Sequence, residues 1–454
     1  MVKKIFSKHI LCKMSFILIV IIILLSCILS GCINNDNSGS TDDVVVNISH
    51  KDMNISLDLA EKWMVSNLNE DGYFNYIYDP EKDEYSDKNN MIRQLMASRL
   101  IAEMCKENSS LNELHSKNLD FIFNNWYQED NETYGFIYYY EESNLGAIAM
   151  CLRTLIHSPF FENYSKNATK LANTILYLQN NSDGSFEPLY IGSINEYDKN
   201  YVLNFYSGEA ILALIEMYVK TNNTIYLNAS IRSQNYYREI YVEQLENNYN
   251  PAYVPWHTLT LNMLYKITGN KTYANDILVL NDKLLEIQDK KNISTLGRFY
   301  SFKYPEYGIP HSSSDGIYTE GLAYAYEIAK LINDTYYQNK FKSGIILGIY
   351  NMLNLQYNNS NDKTNGAIRY SSDDYRIRID STQHTVDSFR KINDIFDDEW
   401  EYFYDSISGK LFDFSKDEEA ISRDSVWYLL AIGTVISIIL LFVIYLFVRK
   451  KNIS

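Results

Sequence analysis

The sequence has little cysteine, and this scarcity limits the kinds of site that it can build. Only five of its 454 residues are cysteines, and Cys12, Cys27 and Cys32 lie in or beside the N-terminal apolar segment. Cys105 and Cys151 remain in the body of the chain, inside apolar helical patterns. We expect these two to pack in the core rather than form a disulfide framework or a zinc site. A single bridge between them stays open at this stage.

Positive charge is also scarce. The chain has 57 acidic and 41 basic side chains, for a formal net charge of -16, and it lacks the basic surface that a nucleic-acid backbone requires. Such acidity also disfavours a large polyanionic substrate unless the site itself carries local positive charge. No His or Cys cluster has metal-ligand spacing, no glycine-rich phosphate loop is present, and no Gly-x-Ser-x-Gly nucleophile elbow occurs. The sequence predicts no nucleic-acid partner, no metal and no cofactor.

The N-terminal segment predicts export. Lysines precede an apolar run at 14–29, and Ser30, Gly31 and Cys32 follow it, which is typical of a signal peptide or signal anchor over residues 1–31. The sequence LSGC at 29–32 also resembles the lipobox of prokaryotic lipoproteins, which implies lipidation of Cys32. An ordinary or uncleaved signal is the alternative. Residues 32–56 are predicted to form a polar tether.

The C-terminal segment predicts a membrane span. Residues 426–448 are apolar and long enough to cross a bilayer. Arg449, Lys450 and Lys451 follow this span, and the positive-inside rule assigns the tail 449–454 to the cytoplasm. Residues 397–425 would form an acidic stalk. We therefore predict a cell-membrane protein whose body, residues 57–396, lies outside.

Two kinds of helical pattern alternate within this body. The first kind is amphipathic, with apolar residues three and four positions apart. The second kind is apolar and rich in small residues, with its polar groups near the start, and should be buried. The predicted outer helices are 57–68, 113–126, 166–180 and 272–288. The predicted inner helices are 90–105, 144–156, 206–220, 256–268, 318–332 and 381–395.

Turns that contain glycine and are followed by aromatic or apolar residues separate the outer helices from the inner ones. Examples are the turns at 71–74, 183–186 and 365–368, and they recur at intervals of roughly 50 to 70 residues. This recurrence predicts a repeat of helical hairpins. We expect about six hairpins to close into an all-α (α/α)6 toroid, with short β-like turns on one face. An open solenoid of hairpins is the structural alternative.

In a toroid the inner helices point the same way, so the polar residues at their starts converge on one face. Glu209 and Glu320 form the central predicted pair, because two carboxyl groups across a cleft can act as general acid and base on a sugar. The candidate catalytic residues are Glu209, Glu320, Tyr206, His257, Asp380 and His384. The candidate substrate-binding residues are Asn90, Arg93, Asn144, Trp256, Tyr318, Arg376 and Arg378.

Each of these residues also has a structural explanation. Asn and Ser side chains cap helices, and the helix dipole favours an acidic residue in the first turn. Arg376 and Arg378 would then pair with Asp373 or Asp374 in a solvated loop. The set as a whole points more strongly to a pocket than any single member does.

Four stretches of the body resemble the C-terminal domain of D-glucuronyl C5-epimerases, which belongs to the six-hairpin sugar enzymes. The stretches are DGYFNYIYDPEKDEYSDKNNMIRQ at 71–94, DGSF with YSGEAILALIEMY at 183–218, DGIYTEGLAYAYEIAKL at 315–331 and NGAIRYSSDDYRIRIDSTQH at 365–384. The resemblance implies inversion at C5 of a uronate, in which a base removes the proton beside the carboxylate and a second group returns one from the other face. Tyr206, Tyr318 and Glu209 would be the positions for these roles. A lyase, a hydrolase and a surface toroid that binds glycan or protein without catalysis are the alternatives.

A second resemblance concerns residues 178–186. Their sequence, LQNNSDGSF, is similar to a repeat of squalene and hopene cyclases, whose fold is also a toroid. In this sequence the repeat is recognisable once, and the acidic Asp-x-Asp-Asp motif that protonates an alkene is missing. The cyclase reaction is therefore not expected.

Overall fold

The structure is a computed structural model, and it describes residues 48–292, 294–300 and 311–396. The predicted signal segment, Cys32, the acidic stalk, the C-terminal span and the basic tail lie outside the described residues. The chain divides into two compact units at the boundary between Val44 and Val45. Every described residue belongs to the second unit.

Helices account for most of the described residues. In chain order they are α1 (His50–Ser66), α2 (Met91–Glu107), α3 (Asn112–Asn125), α4 (Leu145–His157), α5 (Phe161–Leu178), α6 (Glu196–Tyr201), α7 (Ser207–Thr221), α8 (Thr224–Tyr241), α9 (Leu245–Asn248), α10 (Val254–Thr268), α11 (Lys271–Leu285), α12 (Ser312–Leu331), α13 (Thr335–Leu355) and α14 (Ile379–Phe396). Short 3-10 turns occupy Ser109–Leu111 and Pro251–Tyr253, and a π-helix at Val202–Tyr206 joins α6 to α7.

The inner helices form a closed ring. They are α2, α4, α7, α10, α12 and α14, and each packs against the next, with α14 returning to α2. The outer helices α1, α3, α5, α8, α11 and α13 surround them. This closure confirms the predicted (α/α)6 toroid, and the open solenoid is wrong.

Short strands lie in the loops that lead into the inner helices. They are β1 (Ile77–Asp79), β2 (Glu84–Tyr85), β3 (Tyr127–Asp130), β4 (Tyr134–Ile137), β5 (Ser143–Asn144), β6 (Leu189–Ile191) and β7 (Ile377–Arg378). They pair antiparallel in the orders β2-β1-β7, β3-β4 and β5-β6. Tyr78 on β1 lies opposite both Tyr85 and Ile377, so the first of these sheets ties the loop before α2 to the loop before α14.

The glycine turns fix each hairpin to the next outer helix. Gly72, Gly184, Gly297 and Gly366 all have φ between 87° and 93°, a region that favours glycine. A Cβ atom on Gly72 would lie 2.6 Å from the carbonyl oxygen of Lys117 on α3. A Cβ atom on Gly184 would lie 2.6 Å from that of Arg232 on α8. The chain therefore needs glycine here both for its backbone angle and for this close approach.

A glutamine at the end of an outer helix accompanies three of these turns. The Nε2 atoms of Gln179, Gln288 and Gln356 each donate to a backbone carbonyl of the next outer helix, at Ala229, Gly344 and Ser56, each over 2.9 Å. The pattern recognised once at 178–186 thus recurs in space. Loops of different lengths separate the glutamine from the glycine, which hides the repeat in the sequence.

Several helix boundaries differ from the prediction. Helix α1 begins at His50, inside the predicted tether, because Ser49 and Asp52 form a capping box that was overlooked. Helix α12 begins at Ser312, where His311 caps it by accepting from the Ser314 backbone N–H. Helices α8 and α13 were not predicted.

Two smaller questions are answered for the described residues. Cys105 and Cys151 are buried and not bridged, which confirms that they pack in the core.

One helical segment, Glu196–Thr221, is long and apolar enough to cross a membrane, and 72% of its most apolar window is buried inside the structure. It contains α7, a member of the inner ring.

The glycine contacts predict a difference between two substitutions. Gly269→Ala should cost about 1 kcal/mol, because Gly269 has a φ of 68° but nothing lies near its Cβ position. Gly366→Ala should cost about 3 kcal/mol, because its Cβ would also overlap the Leu59 carbonyl of α1. Urea unfolding of the full-length protein measures both. Equal losses for the two variants would contradict this account.

Candidate functional site

We call the centre of the inner ring the lumen, and we call the end at which the inner helices begin its entrance. Each inner helix brings one polar side chain to the same depth, at its ninth residue or, in α7, its tenth. These side chains form the central layer, and all are buried. The central layer consists of Arg99, Arg153, Glu216, Asn262, Glu320 and Asp387.

Ion pairs hold much of this layer together. Arg153 donates to both carboxylate oxygens of Glu216, each over 2.8 Å. Burial alone would raise the pKa of Glu216, but Arg153 and His157 outweigh it and lower the pKa to about 2. Arg99 pairs with Asp387 and, over 2.8 Å, with Glu103. The bottom of the lumen is thus filled by paired charges.

Glu320, His384 and Asp387 form the most distinctive group in the lumen. One ligand-type atom from each lies within 4.8 Å of the other two. Burial, reinforced by the charge of Asp387, raises the pKa of Glu320 to about 8. Burial also raises the pKa of Asp387, although Arg99 opposes this. Both carboxyl groups therefore hold a proton more readily than exposed carboxyl groups do.

The same three residues are of the types that bind metal ions. Burial lowers the pKa of His384 to about 3, so its imidazole is neutral, the form that binds metals. However, Asp387 already accepts hydrogen bonds from Arg99 and Gln383. A guanidinium group thus already supplies positive charge beside this carboxylate. We therefore interpret the group as a proton-exchanging set.

Glu209 lies about 10 Å closer to the entrance than Glu216, since the two are seven residues apart on α7. Its side chain is 3% exposed, and its Oε2 atom has no hydrogen-bond partner. Burial raises the pKa of Glu209 to about 8, against the opposing charges of Arg153 and Arg93. Glu209 is therefore a buried carboxylic acid that still carries its proton at pH 7.

Glycines near the starts of the inner helices make room for these side chains. A Cβ atom on Gly146 of α4 would lie 2.6 Å from Glu209 Oε2 and 2.6 Å from Tyr206 Cδ1. In the same way, Gly208 of α7 faces Trp256 and Gly316 of α12 faces His384. Trp256 and His384 in turn meet edge-on, with ring centres 6.3 Å apart. The small residues noted in the sequence thus let neighbouring helices bring bulky groups together.

A second set of charges lies at the entrance. Asp380 accepts from Arg93 Nε over 2.7 Å and from Arg378 Nε over 2.9 Å. Burial would raise the pKa of Asp380, but the two guanidinium groups hold it well below its ordinary value. Arg378 also lies over the ring of Tyr370 at 4.8 Å. Two arginines and one fixed carboxylate leave one positive charge in excess here.

A row of tyrosine rings, which we call the tyrosine path, leads toward Glu209. Tyr197 is 62% exposed, the ring of Tyr201 packs against it in a tilted geometry with centres 4.3 Å apart, and Tyr206 follows at 5.6 Å. The last of these rings is buried and belongs to the π-helix, a rare element often found at functional sites. The path therefore runs from the surface to the predicted acid.

Several predicted residues do not reach the lumen. His257 lies five residues before Asn262, which turns it to the opposite face of α10. There it bonds to Gln234 of α8 over 3.0 Å, between the two layers. Tyr318 packs edge-on against Phe299 at 5.4 Å. Sequence analysis misplaced both residues because the position of a helix start determines how far along the helix axis a side chain lies. It does not determine the direction in which that side chain points around the axis.

Three other predicted residues have structural roles. Asn90 and Asn144 cap α2 and α4 by accepting from the Arg93 and Ala147 backbone N–H groups. Arg376 is exposed and pairs with Asp374, as the structural explanation proposed. Arg378 does not follow that explanation, because its partner is Asp380.

Sequence reasoning missed most of the central layer. Arg99, Arg153, Glu216 and Asp387 were not singled out, although each is a charged residue inside an inner helix. The available signal was their equal distance from the helix starts. It was obscured because the predicted starts of α12 and α10 were six and two residues late.

The comparisons with known proteins concern the fold. No family model matches the chain, and no curated protein matches it. Among solved structures, a D-mannose isomerase matches with a TM-score of 0.58 and 13% identity, over 76% of this chain and 98% of that one. A sugar epimerase from a ruminal bacterium matches with a TM-score of 0.54 and 12% identity, over 75% and 98%.

An unsaturated glucuronyl hydrolase specific for heparin also matches, with a TM-score of 0.54 and 10% identity, over 76% of this chain and 98% of that one. At such low identity, these likenesses show the fold alone. The described chain therefore shares the six-hairpin (α/α)6 toroid with these sugar enzymes.

Proposed function

We propose that this chain is a membrane-anchored, outward-facing enzyme that acts on uronic-acid-containing or other glycans by general acid and base chemistry. The observation that best supports this proposal is that burial raises the pKa values of Glu209 and Glu320, in the same lumen, to about 8. Acids tuned toward the working pH are what proton transfer to and from a sugar requires.

In this proposal Glu209 is the proton donor nearest the entrance, and Tyr206 lies beside it. Glu320, with Asp387 and His384, exchanges a proton deeper in the lumen. Arg93 and Arg378 hold the carboxylate of a uronate, since their excess positive charge lies at the entrance. Trp256 and the tyrosine path supply flat apolar surfaces for the sugar rings.

The fold relatives support a sugar substrate. An isomerase and an epimerase have this fold, and such reactions fit proton transfer between two groups. A glucuronyl hydrolase also has it, which fits a uronate. Epimerase, lyase and hydrolase chemistry all remain within the proposal.

A toroid that binds glycan or protein without catalysis is the second candidate. It is favoured by the filled lower lumen, where Arg153 and Glu216 are paired and buried. In that case the raised pKa values would be a consequence of dense packing. The experiment below separates the two candidates.

The membrane anchoring rests on the sequence. We propose that residues 1–31 export the chain, that Cys32 is lipidated, and that residues 426–448 span the membrane. The toroid then faces outwards and the tail 449–454 lies in the cytoplasm.

The first prediction from this proposal concerns exchange at carbon. Full-length protein in detergent, incubated with uronic-acid polymers in deuterated water, should replace the C5 proton by deuterium, as followed by proton NMR. Glu209→Gln should slow this exchange about 100-fold or more. Glu70→Gln, at an exposed loop position, is the control and should not change the rate. No exchange, no unsaturated product and no released sugar across a glycan panel would favour the non-catalytic toroid.

The second prediction concerns stability and needs no substrate. Folded Glu209 keeps its proton up to about pH 8, whereas an unfolded glutamate loses it near pH 4.5. Raising the pH between these values therefore favours the unfolded state, by about 3 to 5 kcal/mol in total. Glu209→Gln removes this penalty, so its stability relative to wild type should rise from pH 4.5 to 8 in urea unfolding. A pH-independent difference would contradict the raised pKa.

The third prediction concerns topology. In intact cells expressing the chain with an epitope tag after Ser454, added protease should digest the toroid but leave the tag protected. Protection of the toroid would contradict the outward orientation. Loss of fatty-acid labelling in Cys32→Ser would support lipidation.

A further inference from the structure

A cavity of about 100 Å³ lies to the side of the lumen, between the loops that lead into α12 and α14. This space is smaller than a site that encloses a whole drug-sized ligand, so it suits the anionic group of a ligand rather than the whole molecule. The residues that matter here are Arg298, Arg369, His311, Asp315, Ser371 and Ser372, all of which line it. None of the proposed proton-transfer groups does.

The two arginines of this cavity differ from most others. Between residues 93 and 390, seven arginines pair with carboxylates. Within the described residues, neither Arg298 nor Arg369 has such a partner. Arg369 donates to the carbonyls of Asn354 and Leu355 and lies 5.6 Å from the ring of Tyr375. In a chain with a net charge of -16, two arginines in one cavity with no carboxylate pair among the described residues are unexpected.

One carboxyl group does line the cavity, but its own bonds already occupy it. Asp315 accepts from the Phe299 backbone N–H over 2.8 Å and from Asn351 Nδ2 over 2.7 Å. It is 1% exposed, and burial raises its pKa to about 6, although Arg298 is among the groups that oppose this. Asp315 therefore offsets the charge of Arg298 only from a distance.

Other groups around the cavity favour an anion. Helix α12 begins here, and the positive end of a 20-residue helix attracts negative charge. Ser371 and Ser372 add hydroxyl groups that can donate hydrogen bonds. The cavity thus combines cations, a helix start and hydroxyl donors.

We propose that this cavity binds an oxyanion-bearing sugar residue, with Arg298 and Arg369 holding the anionic group. The shared chemistry is a carboxylate, sulfate or phosphate on a polyol. This binding is separate from the proposed catalysis, because Glu209 and Glu320 take no part in it.

Calorimetry on the full-length protein tests the proposal. The probes are sodium glucuronate, inorganic sulfate, inorganic phosphate and glucose, each at equal ionic strength set with sodium chloride. We expect at least one oxyanion to bind and glucose to bind less tightly. Tighter binding of glucuronate would identify a uronate, and tighter binding of sulfate or phosphate would identify a sulfated or phosphorylated sugar.

Variants locate the binding. Arg298→Gln should weaken it about tenfold or more, since it removes a charge-assisted contact, and Arg369→Gln should act likewise. Arg298→Gln is the cleaner test because Arg369 also supports the end of α13. Arg376→Gln, which removes an exposed arginine that already pairs with Asp374, is the matched control and should bind as wild type does.

The proposal is overturned if no oxyanion binds up to about 10 mM, or if Arg298→Gln binds as tightly as wild type. Glu209→Gln should retain the binding. If no glycan in the panel is turned over while the oxyanion still binds, the catalytic proposal is wrong and the anion-binding proposal is kept. If a glycan is turned over but no oxyanion binds in the cavity, only the anion-binding proposal is wrong.

Discussion

The structure depends on the burial of charge inside a closed ring of helices. Four carboxyl groups, Glu103, Glu216, Glu320 and Asp387, meet three cationic groups, Arg99, Arg153 and His157, in and just below the central layer. Removing one partner of such a pair would strand the other, at a cost of about 3 to 5 kcal/mol. The acids nevertheless outnumber the cations, so some must keep their protons. The proton exchange proposed for Glu320 and Asp387 is thus a consequence of how the ring is filled.

The same lumen holds carboxyl groups in opposite states. Asp380 lies between two arginines and stays ionised, whereas Glu209 has no hydrogen-bond partner on Oε2 and stays protonated. Their helix positions are similar, since both lie in a first turn. Their neighbours decide the difference: Arg93 on α2 and Arg378 on β7 bond to Asp380, whereas no described group bonds to Oε2 of Glu209. The pKa values of Asp380 and Glu209 are therefore properties of the assembled ring.

Sequence patterns predicted the ring well and the lumen only in part. Helix α7 was placed within one residue, because its apolar face is continuous. Helix α8 was missed because Ser230, Ser233 and Gln234 interrupt its buried face. His257 and His384 looked equivalent in the sequence, yet only His384 reaches the lumen. Placing a side chain around a helix needs the position of neighbouring helices, which a single sequence does not supply.

The distribution of charge in the structure also changes what the acidic net charge implies about the substrate. A net charge of -16 disfavours an anionic substrate if the charge is spread evenly. It is not spread evenly, because Arg93 and Arg378 exceed Asp380 at the lumen entrance, and among the described residues no acid pairs with Arg298 or Arg369 in the cavity beside it. His311 links these two regions, since it lines the cavity and stacks on Tyr370 at 5.1 Å. The starts of the inner helices add further positive potential to the same face. Because local fields decide where a charged ligand docks, an acidic chain can still present this one face to an anionic glycan.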